Sequence, residues 1–212
     1  MKIVSLILAR GGSKEIPNKN IIDINGFPLI YYTIKSSVDS IVNQTWVSTD
    51  SKIIKNISLT YEVKVIDRPT EIAQDNSQSE ESLLHFSKHV DFDYLVFIQP
   101  TSPLLVSKDI NSALSMIDKY DSILSVYKEH WVPRWSKTAK PIDWNINQRP
   151  MRQQKEPRFV ENGAFYITSK ESLLKSGMRY SGRIGLYEMP LSRSLQIDTE
   201  DDLELVKKII SS

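Results

Sequence analysis

The residues best suited to chemistry lie in one short basic segment near the amino terminus, from Arg10 to Asn20. Two of the seven glycines of the chain, Gly11 and Gly12, stand side by side there, and adjacent glycines allow backbone N–H groups to point at one anion. The segment also holds three cations, Arg10, Lys14 and Lys19. Backbone donors, a guanidinium and ammonium groups are the partners that phosphate oxygens prefer. The segment therefore predicts a phosphate-binding loop.

This loop matches neither of the two common phosphate-binding patterns. It contains neither Gly-x4-Gly-Lys-[Ser/Thr] nor Gly-x-Gly-x-x-Gly. A solvated glycine turn between a strand and a helix is the alternative interpretation.

The elements that position the loop alternate between strands and helices. Short apolar runs predict strands at about 3–9, 46–49, 63–66, 94–98, 122–126, 163–168 and 184–190. The segments between most of them predict helices, and this alternation is typical of a mostly parallel sheet. Ligands of such sheets bind at the carboxyl ends of the strands. Four of these ends should therefore converge in space: Arg10-Gly11-Gly12, Asp50, Arg68 and Gln99.

The sequence also predicts where three of the helices begin. Pro28 can open a helix to about Ser40, with an apolar stripe formed by Leu29, Ile30, Ile34, Val38 and Ile41. Ser107 is predicted to cap a later helix. The final helix should begin at Thr199-x-x-Asp202, which resembles a capping box.

A segment from about residue 128 to 158 breaks the alternation. It holds three of the four tryptophans, four prolines, and eight basic against three acidic residues. An exposed loop is one interpretation, but exposed aromatics in a basic segment favour a surface that contacts a partner.

Composition excludes several classes of protein. Lys and Arg total 27 against 26 for Asp and Glu, which argues against a general nucleic-acid binder. Without cysteine there are no disulfides, thiolate zinc sites or cysteine nucleophiles. The seven-residue apolar run Ile3–Ala9 ends in Arg10-Gly11-Gly12 and lacks the Ala-x-Ala cleavage site of a signal peptide. No run approaches the ~20 apolar residues that span a bilayer. The chain is predicted to be cytoplasmic.

A series of short motifs resembles the acylneuraminate cytidylyltransferases, also called CMP-sialic acid synthetases. The motifs follow the order of that family over almost the whole chain: residues 9–20, Asn25-Gly26-Phe27-Pro28-Leu29, Val47-Ser48-Thr49-Asp50, Arg68-Pro69-Thr70-Glu71-Ile72-Ala73, Gln99-Pro100-Thr101-Ser102-Pro103, Glu161-Asn162-Gly163-Ala164-Phe165-Tyr166 and Ile197-Asp198-Thr199-Glu200. The resemblance implies a Rossmann-like α/β/α nucleotidyltransferase domain over residues 1–212, with a dimerisation insert at about 128–158. It also implies a homodimer that uses CTP and Mg²⁺, joins CMP to a nine-carbon keto-sugar acid and releases pyrophosphate, without a nucleic-acid or membrane partner.

The same resemblance assigns roles to individual residues. Arg10 and Lys19 would hold the triphosphate and act in catalysis. The nucleotide would also contact Gly11, Gly12, Ser13, Asn20, Arg68, Ser77 and Ser79, with Arg68 facing cytosine. Gln99 and Asn162 would contact the sugar acid, and Asp198 would bind the metal.

Three residues depart from the family pattern. Glu15 adds a carboxylate beside the phosphate loop, and Val160 replaces an arginine that some members carry. Gln196 replaces a second aspartate two residues before Asp198. Glu15 and Gln196 leave open a nucleotide-binding module that has lost metal chemistry. A transferase for another nucleotide or for a sugar 1-phosphate is the second alternative, because the phosphate loop would suit it equally.

Several candidate residues also have a purely structural interpretation. His85 and His89 lie one helical turn apart, but the Glu of a His-Glu-x-x-His zinc motif is absent. The acidic residues around Asp198 open a helix, where carboxylates are stabilised in any case. Gln99 could only end a strand, and Asn162 could only belong to a turn.

Overall fold

The computed structural model describes residues 1–211. Its strands, numbered in chain order, are β1 (Ile3–Leu8), β2 (Asp23–Ile24), β3 (Phe27–Pro28), β4 (Gln44–Thr49), β5 (Lys64–Asp67), β6 (Tyr94–Ile98), β7 (Ser122–Glu129), β8 (Arg134–Trp135), β9 (Pro141–Ile142), β10 (Arg158–Ser169) and β11 (Ile184–Glu188). Its α-helices are α1 (Leu29–Val38), α2 (Lys52–Leu59), α3 (Ser79–His89), α4 (Ser107–Leu114), α5 (Lys170–Ser176) and α6 (Glu200–Ser211). None of the helices described over this range is long and apolar enough to cross a membrane.

Seven strands form the central sheet, in the order β11-β7-β10-β6-β1-β4-β5. Only β10 runs antiparallel to its neighbours within this described sheet. The chain passes from β1 outward to β4 and β5 and then returns to β6 on the other side of β1, so the order reverses between β1 and β6. Open α/β sheets bind ligands at such a switch point. The predicted α/β fold with a mostly parallel sheet is confirmed.

Helices cover both faces of the sheet because the central strands are apolar on both. On one face, Ile34 of α1 and Ile110 of α4 share a buried cluster with Ile7 of β1. On the other face, Phe86 of α3 shares a cluster with Leu6 of β1. Adjacent residues of a strand point to opposite faces, so β1 anchors both helical layers.

Helix α1 departs from its predicted apolar stripe near its end. Leu29, Ile30 and Ile34 are buried, whereas Val38 is 49% exposed and Ile41 is 59% exposed. The helix ends at Val38, so Ile41 no longer follows its buried face.

The predicted cap of α4 at Ser107 is wrong, whereas the predicted capping box of α6 is confirmed. The N-cap of α4 is Val106, whose N–H donates to the Asp109 carboxylate at 3.2 Å. Ser107 is already helical. At α6, the N–H of Thr199 donates to the Asp202 carboxylate at 2.8 Å, and the N–H of Asp202 donates to the Thr199 hydroxyl at 3.3 Å.

The tryptophan-rich segment 128–158 joins β7 to β10, which pair with each other at its base. It contains the β8–β9 hairpin. Trp144 packs edge-to-face against Trp131 and Trp135, with ring centroids 6.5 and 4.9 Å apart. The three rings therefore shelter one another in part, although Trp135 is still 47% exposed.

Candidate active site

The carboxyl ends of four parallel strands meet at the switch point, as the chain order predicted. The loop after β1 reaches the end of β4, where the N–H of Gly11 donates to the Asp50 carboxylate at 2.9 Å. Arg68 follows β5 and donates to the carbonyl of Ser48 at 2.6 Å. A cavity of about 300 Å³ opens between these ends and Gln99, which follows β6.

Ten of the twelve predicted site residues line this cavity. They are Arg10, Gly12, Ser13, Lys19, Asn20, Arg68, Ser77, Ser79, Gln99 and Asp198. The loop after β1 supplies five of them, and the remainder come from segments up to 188 positions away from Arg10 along the chain. The fold thus brings the predicted residues together, while their individual roles stay predictions.

Gly11 packs closely against the start of α2, which the sequence did not reveal. Its N–H is engaged by Asp50, so this donor is not turned toward a ligand as the predicted nest of two amides requires. A Cβ atom at position 11 would lie 3.0 Å from Cβ of Ser51, the N-cap of α2. Glycine therefore allows the loop after β1 to approach the start of α2.

Asn162 lies behind the cavity rather than in its wall. It is only 5% exposed, and its amide donates to the hydroxyl of Ser194 at 2.9 Å. It lines an adjoining cavity of about 530 Å³. Gln99 and Gln196 line both cavities and therefore stand between them.

The boundary between the two cavities depends on an irregularity in β10. The register of β10 against β7 shifts between Glu161 and Tyr166, and Gly163 within that stretch has φ +67°. A Cβ atom at Gly163 would lie 2.1 Å from Nε2 of Gln196 and 2.9 Å from Oε1 of Gln99. The Glu161-Asn162-Gly163 motif is therefore part of a distorted strand. Because Gly163 has no side chain, the two glutamine side chains can pack against its backbone.

Arg68 is a buried cation at the base of the first cavity. It is 8% exposed, and it donates through Nη2 to the Ser48 carbonyl and through Nε to the Ser48 hydroxyl, the latter at 3.1 Å. Burial lowers the pKa of Arg68 to about 10, against the opposing effect of the Asp50 carboxylate. Arg68 is therefore still charged at neutral pH and holds a fixed position.

The three cations of the loop each face a carboxylate. Arg10 Nη1 lies 2.5 Å and Lys14 Nζ 2.6 Å from the two carboxylate oxygens of Asp75. Lys19 Nζ lies 3.1 Å from Asp198 and donates to the carbonyl of Ile197 at 2.9 Å. Sequence reasoning missed Asp75, whose only signal was its place in the polar segment that also carries Ser77 and Ser79.

Two predicted nucleotide contacts also shape the backbone around the cavity. The Asn20 amide donates to the carbonyl of Arg10 at 2.9 Å, which holds the two ends of the loop together. The Ser77 hydroxyl accepts from the N–H of Gln74 at 3.1 Å and donates to the carbonyl of Glu71 at 3.3 Å. Both side chains therefore have structural partners in addition to the cavity.

Carboxylates suited to a metal are few at this site. Over residues 1–211 no group of three or more His, Cys, Asp or Glu side chains is arranged to hold an ion. Asp198 is 60% exposed at its side chain and lines the cavity. Gln196 donates to the carbonyl of Asn162 at 2.5 Å and to Gln99 at 3.2 Å, so it buttresses the cavity wall.

A partly buried network that the sequence did not reveal borders the second cavity. Arg179 donates to both carboxylate oxygens of Glu80, at 2.6 and 2.9 Å. Its guanidinium lies 5.0 Å from the ring centre of Tyr166, and the Tyr166 hydroxyl donates to Glu161. No motif surrounds Arg179 in the sequence, so its burial depends on packing alone.

The structure gives no support to a metal role for the two histidines of α3, His85 and His89. Their ring centroids are 4.4 Å apart, and Nδ1 of His89 lies 2.8 Å from the carbonyl of His85. Burial, followed by the charges of His89 and Lys88, lowers the pKa of His85. No third metal ligand joins them in the described part of the chain.

A mostly parallel α/β/α sheet with a cation-lined cavity at its switch point is typical of nucleotide-binding α/β proteins. The family described as Cytidylyltransferase matches residues 4–210. The chain therefore belongs to the cytidylyltransferase family.

Individual relatives agree with this assignment. N-acylneuraminate cytidylyltransferase A of Danio rerio is 40% identical over 94% of this chain and 49% of the relative. N-acylneuraminate cytidylyltransferase of Streptococcus agalactiae is 31% identical over 95% of this chain and 52% of the relative. The chain thus spans about half the length of the curated relatives it matches. In fold it is similar to CMP:2-keto-3-deoxy-manno-octonic acid synthetase complexed with CTP, with a TM-score of 0.79 at 18% identity over 100% of this chain and 99% of that one.

Proposed function

We propose that this chain is a cytidylyltransferase that joins CMP from CTP to a nine-carbon, sialic-acid-like keto-sugar acid and releases pyrophosphate. The observation that carries the proposal is the cavity at the switch point, where the cations Arg10, Lys19 and Arg68 converge beside a second cavity that shares Gln99 and Gln196. The names of the relatives from Danio rerio and Streptococcus agalactiae support the substrate class.

In this proposal the first cavity holds the nucleotide. Arg10 and Lys19 neutralise the triphosphate, with Gly12 and Ser13 beside them, while Gly11 keeps the loop close to α2. Attack at an α-phosphate requires charge neutralisation and in-line positioning more than covalent participation of the protein. Arg68 is already fixed by Ser48, so a nucleobase contact there would cost little side-chain ordering. Ser77, Ser79 and Asn20 would line the nucleoside.

The second cavity would then receive the sugar acid. Gln99 faces both cavities, so it is placed where the attacking hydroxyl and the α-phosphate would meet. Asn162 would shape this cavity from a buried position. Val160 lines the cavity in place of an arginine, so this residue cannot provide a cation for the sugar carboxylate.

The proposed reaction uses Mg²⁺ as its cofactor. The site offers one carboxylate that could bind the ion. Asp198 offers an exposed carboxylate at the cavity wall, and Mg²⁺ is commonly held by one or two carboxylates together with substrate phosphates and water. Gln196 provides no second carboxylate. When bound, the ion would neutralise charge on the phosphates, while Lys19, the present partner of Asp198, would be released toward the same anions.

A homodimer formed through the segment 128–158 belongs to the same proposal. Six hydrophobic residues in and next to the segment are at least 43% exposed: Val132, Trp135, Ile142, Ile146, Met151 and Phe159. Among residues 1–211, only two of its eight basic side chains, Arg134 and Arg158, have a carboxylate within 4.0 Å. A segment with several exposed apolar side chains and several cations without a carboxylate partner suits contact with a second copy whose pocket contains anionic substrates. The cytoplasmic location stays a prediction.

The test is a panel that measures pyrophosphate release. CTP, ATP, GTP and UTP are each combined with Mg²⁺ and with neuraminic, legionaminic and pseudaminic acids or with sugar 1-phosphates. We expect release with CTP and a keto-sugar acid only. Turnover with another nucleotide or a sugar 1-phosphate would favour the second transferase class. Nucleotide binding without any turnover would favour the impaired module, which the replacement of an aspartate by Gln196 motivates.

A further inference from the structure

Asp75 forms ion pairs with two cations of the loop after β1. Its two carboxylate oxygens are divided between two cations, Arg10 at 2.5 Å and Lys14 at 2.6 Å. Asp75 also lines the nucleotide cavity together with Arg10. Phosphate oxygens and carboxylate oxygens compete for the same N–H donors. A triphosphate therefore cannot use these two cations fully while Asp75 holds them.

Each cation around the cavity faces a carboxylate, and the carboxylate of Asp75 is shared by two of them. Besides the two pairs with Asp75, Lys19 pairs with Asp198, and the Asp50 carboxylate interacts with the buried Arg68. Hydrogen bonds from Lys14 and then from Arg10 hold the pKa of Asp75 below its usual value. Asp75 is therefore ionised at neutral pH and would repel a phosphate placed beside it.

The ion pairs that Asp75 forms are also exposed enough for another anion to replace its carboxylate. The side chain of Lys14 is 77% exposed, that of Asp75 is 40% exposed and that of Arg10 is 31% exposed. Ion pairs with this exposure are weak, so an incoming ligand with several negative charges can replace them. Asp75 lies two positions from Ser77, which lines the same cavity.

We propose that Asp75 is an internal competitor of the triphosphate, an anion that neutralises Arg10 and Lys14 in the empty site and is displaced when a polyphosphate binds. This inference rests on the proposed role of the loop after β1 as the phosphate site. A competing internal contact lowers the apparent association constant to the intrinsic constant multiplied by the fraction of molecules in which the site is free. The same carboxylate re-forms its pairs when pyrophosphate leaves, which favours product release.

The direct test is calorimetric titration of inorganic tripolyphosphate, without divalent metal, into the wild type and into Asp75→Asn. The amide keeps the shape of the side chain and removes its charge. We expect the affinity to rise by about twofold to 25-fold. Each of the two exposed pairs contributes a factor of about 1.4 to 5, and the two factors multiply. The conservative variant Asp75→Glu should stay within about twofold of the wild type. Asp91→Asn is the matched control, because Asp91 forms a similar exposed pair with Lys170 away from the cavity.

Unchanged affinity in Asp75→Asn would overturn the inference, and so would weaker binding, because weaker binding would mean that Asp75 positions the two cations for the ligand. Failure of tripolyphosphate to bind either protein would overturn it as well. The outcome is separable from the proposed transferase activity. If Asp75→Asn binds more tightly and no panel substrate is turned over, the competitor role stands and the proposed reaction fails.

Discussion

The ammonium group of Lys19 lies 3.1 Å from a carboxylate oxygen of Asp198, although 179 positions separate the two residues along the chain. Lys19 belongs to the loop after β1, and Asp198 precedes α6. The contact joins the beginning and the end of the chain at one wall of the nucleotide cavity. A proposed phosphate ligand and a proposed metal ligand thus neutralise each other until substrates arrive.

Loss of the Arg10 side chain should impair use of CTP. Arg10→Ala removes a guanidinium that faces the cavity, and loss of such a charge-stabilising donor typically lowers kcat/KM by about 10²-fold or more. The measurement is steady-state pyrophosphate release at varied CTP. Arg183→Ala is the control, because Arg183 forms an exposed pair with Asp121 and does not line the cavity. Equal kinetics for folded Arg10→Ala and the wild type would contradict the role of Arg10.

Removal of the Asp198 charge should raise the Mg²⁺ requirement. Asp198→Asn keeps the shape of the side chain but weakens its bond to a hard cation. The Mg²⁺ concentration for half-maximal rate should increase by about tenfold or more. Asp201→Asn, an exposed neighbour in α6 that does not line the cavity, should leave it unchanged. Overlaying Mg²⁺ titrations of Asp198→Asn and the wild type would assign the metal to other groups.

The Glu80–Arg179 pair should be a source of stability. Glu80→Gln leaves a mostly buried guanidinium without its counter-charge, with 19% of the Arg179 side chain exposed. We expect a loss of about 2–3 kcal/mol, below the ~3–5 kcal/mol of a fully buried pair. In a chain of this size that lowers Tm by about 5–10 °C. Glu171→Gln, on the exposed surface of α5, is the control and should melt like the wild type.

The same pair predicts how stability changes with pH. Burial alone would raise the pKa of Glu80, but the hydrogen bonds and charge of Arg179 outweigh burial, so the pKa lies below its ordinary value of 4.5. A depressed carboxyl pKa contributes stability that is present above pH 4.5 and is lost as the pH falls through the folded-state value. Between pH 7 and pH 3 the wild type should therefore lose more Tm than Glu80→Gln. Parallel pH profiles for the two proteins would show that the pair contributes no charge-dependent stability.

Assembly should depend on the segment 128–158. At micromolar protein we expect a dimer in sedimentation velocity, and CTP with Mg²⁺ should stabilise it, because a ligand that binds only the assembled form shifts the equilibrium. Met151→Glu places a charge on a side chain that is 63% exposed within this segment, and it should weaken the dimer. Met178→Glu, 44% exposed elsewhere, is the matched control. A wild-type monomer with and without ligand that still turns over at full rate would rule out a shared site.

The amino-acid sequence alone determined the class of fold and the outline of the site. Continuous apolar runs such as Tyr94–Ile98 specify strands that are buried on both faces. The residue after each strand then has to lie at one edge of a parallel sheet. This rule puts Arg10, Arg68 and Gln99 at one edge of the sheet, and all three line the cavity there. The failed prediction at Ser107 shows the limit of local rules, because the N-cap is Val106 and its N–H donates to the Asp109 carboxylate.

Tertiary structure decided which charges meet and which side chains become buried. Strand β10 lies antiparallel between β6 and β7, and this places Gly163 against Gln99 and Gln196. The pairing of Asp75 with Arg10, and the burial of Arg179 against Glu80, follow from the packing of segments 65 and 99 positions apart. Periodicity records only how each segment faces the core. The partner of a charged side chain is set instead by long-range packing, because electrostatic and hydrogen-bond energies depend on the distances that the folded chain imposes.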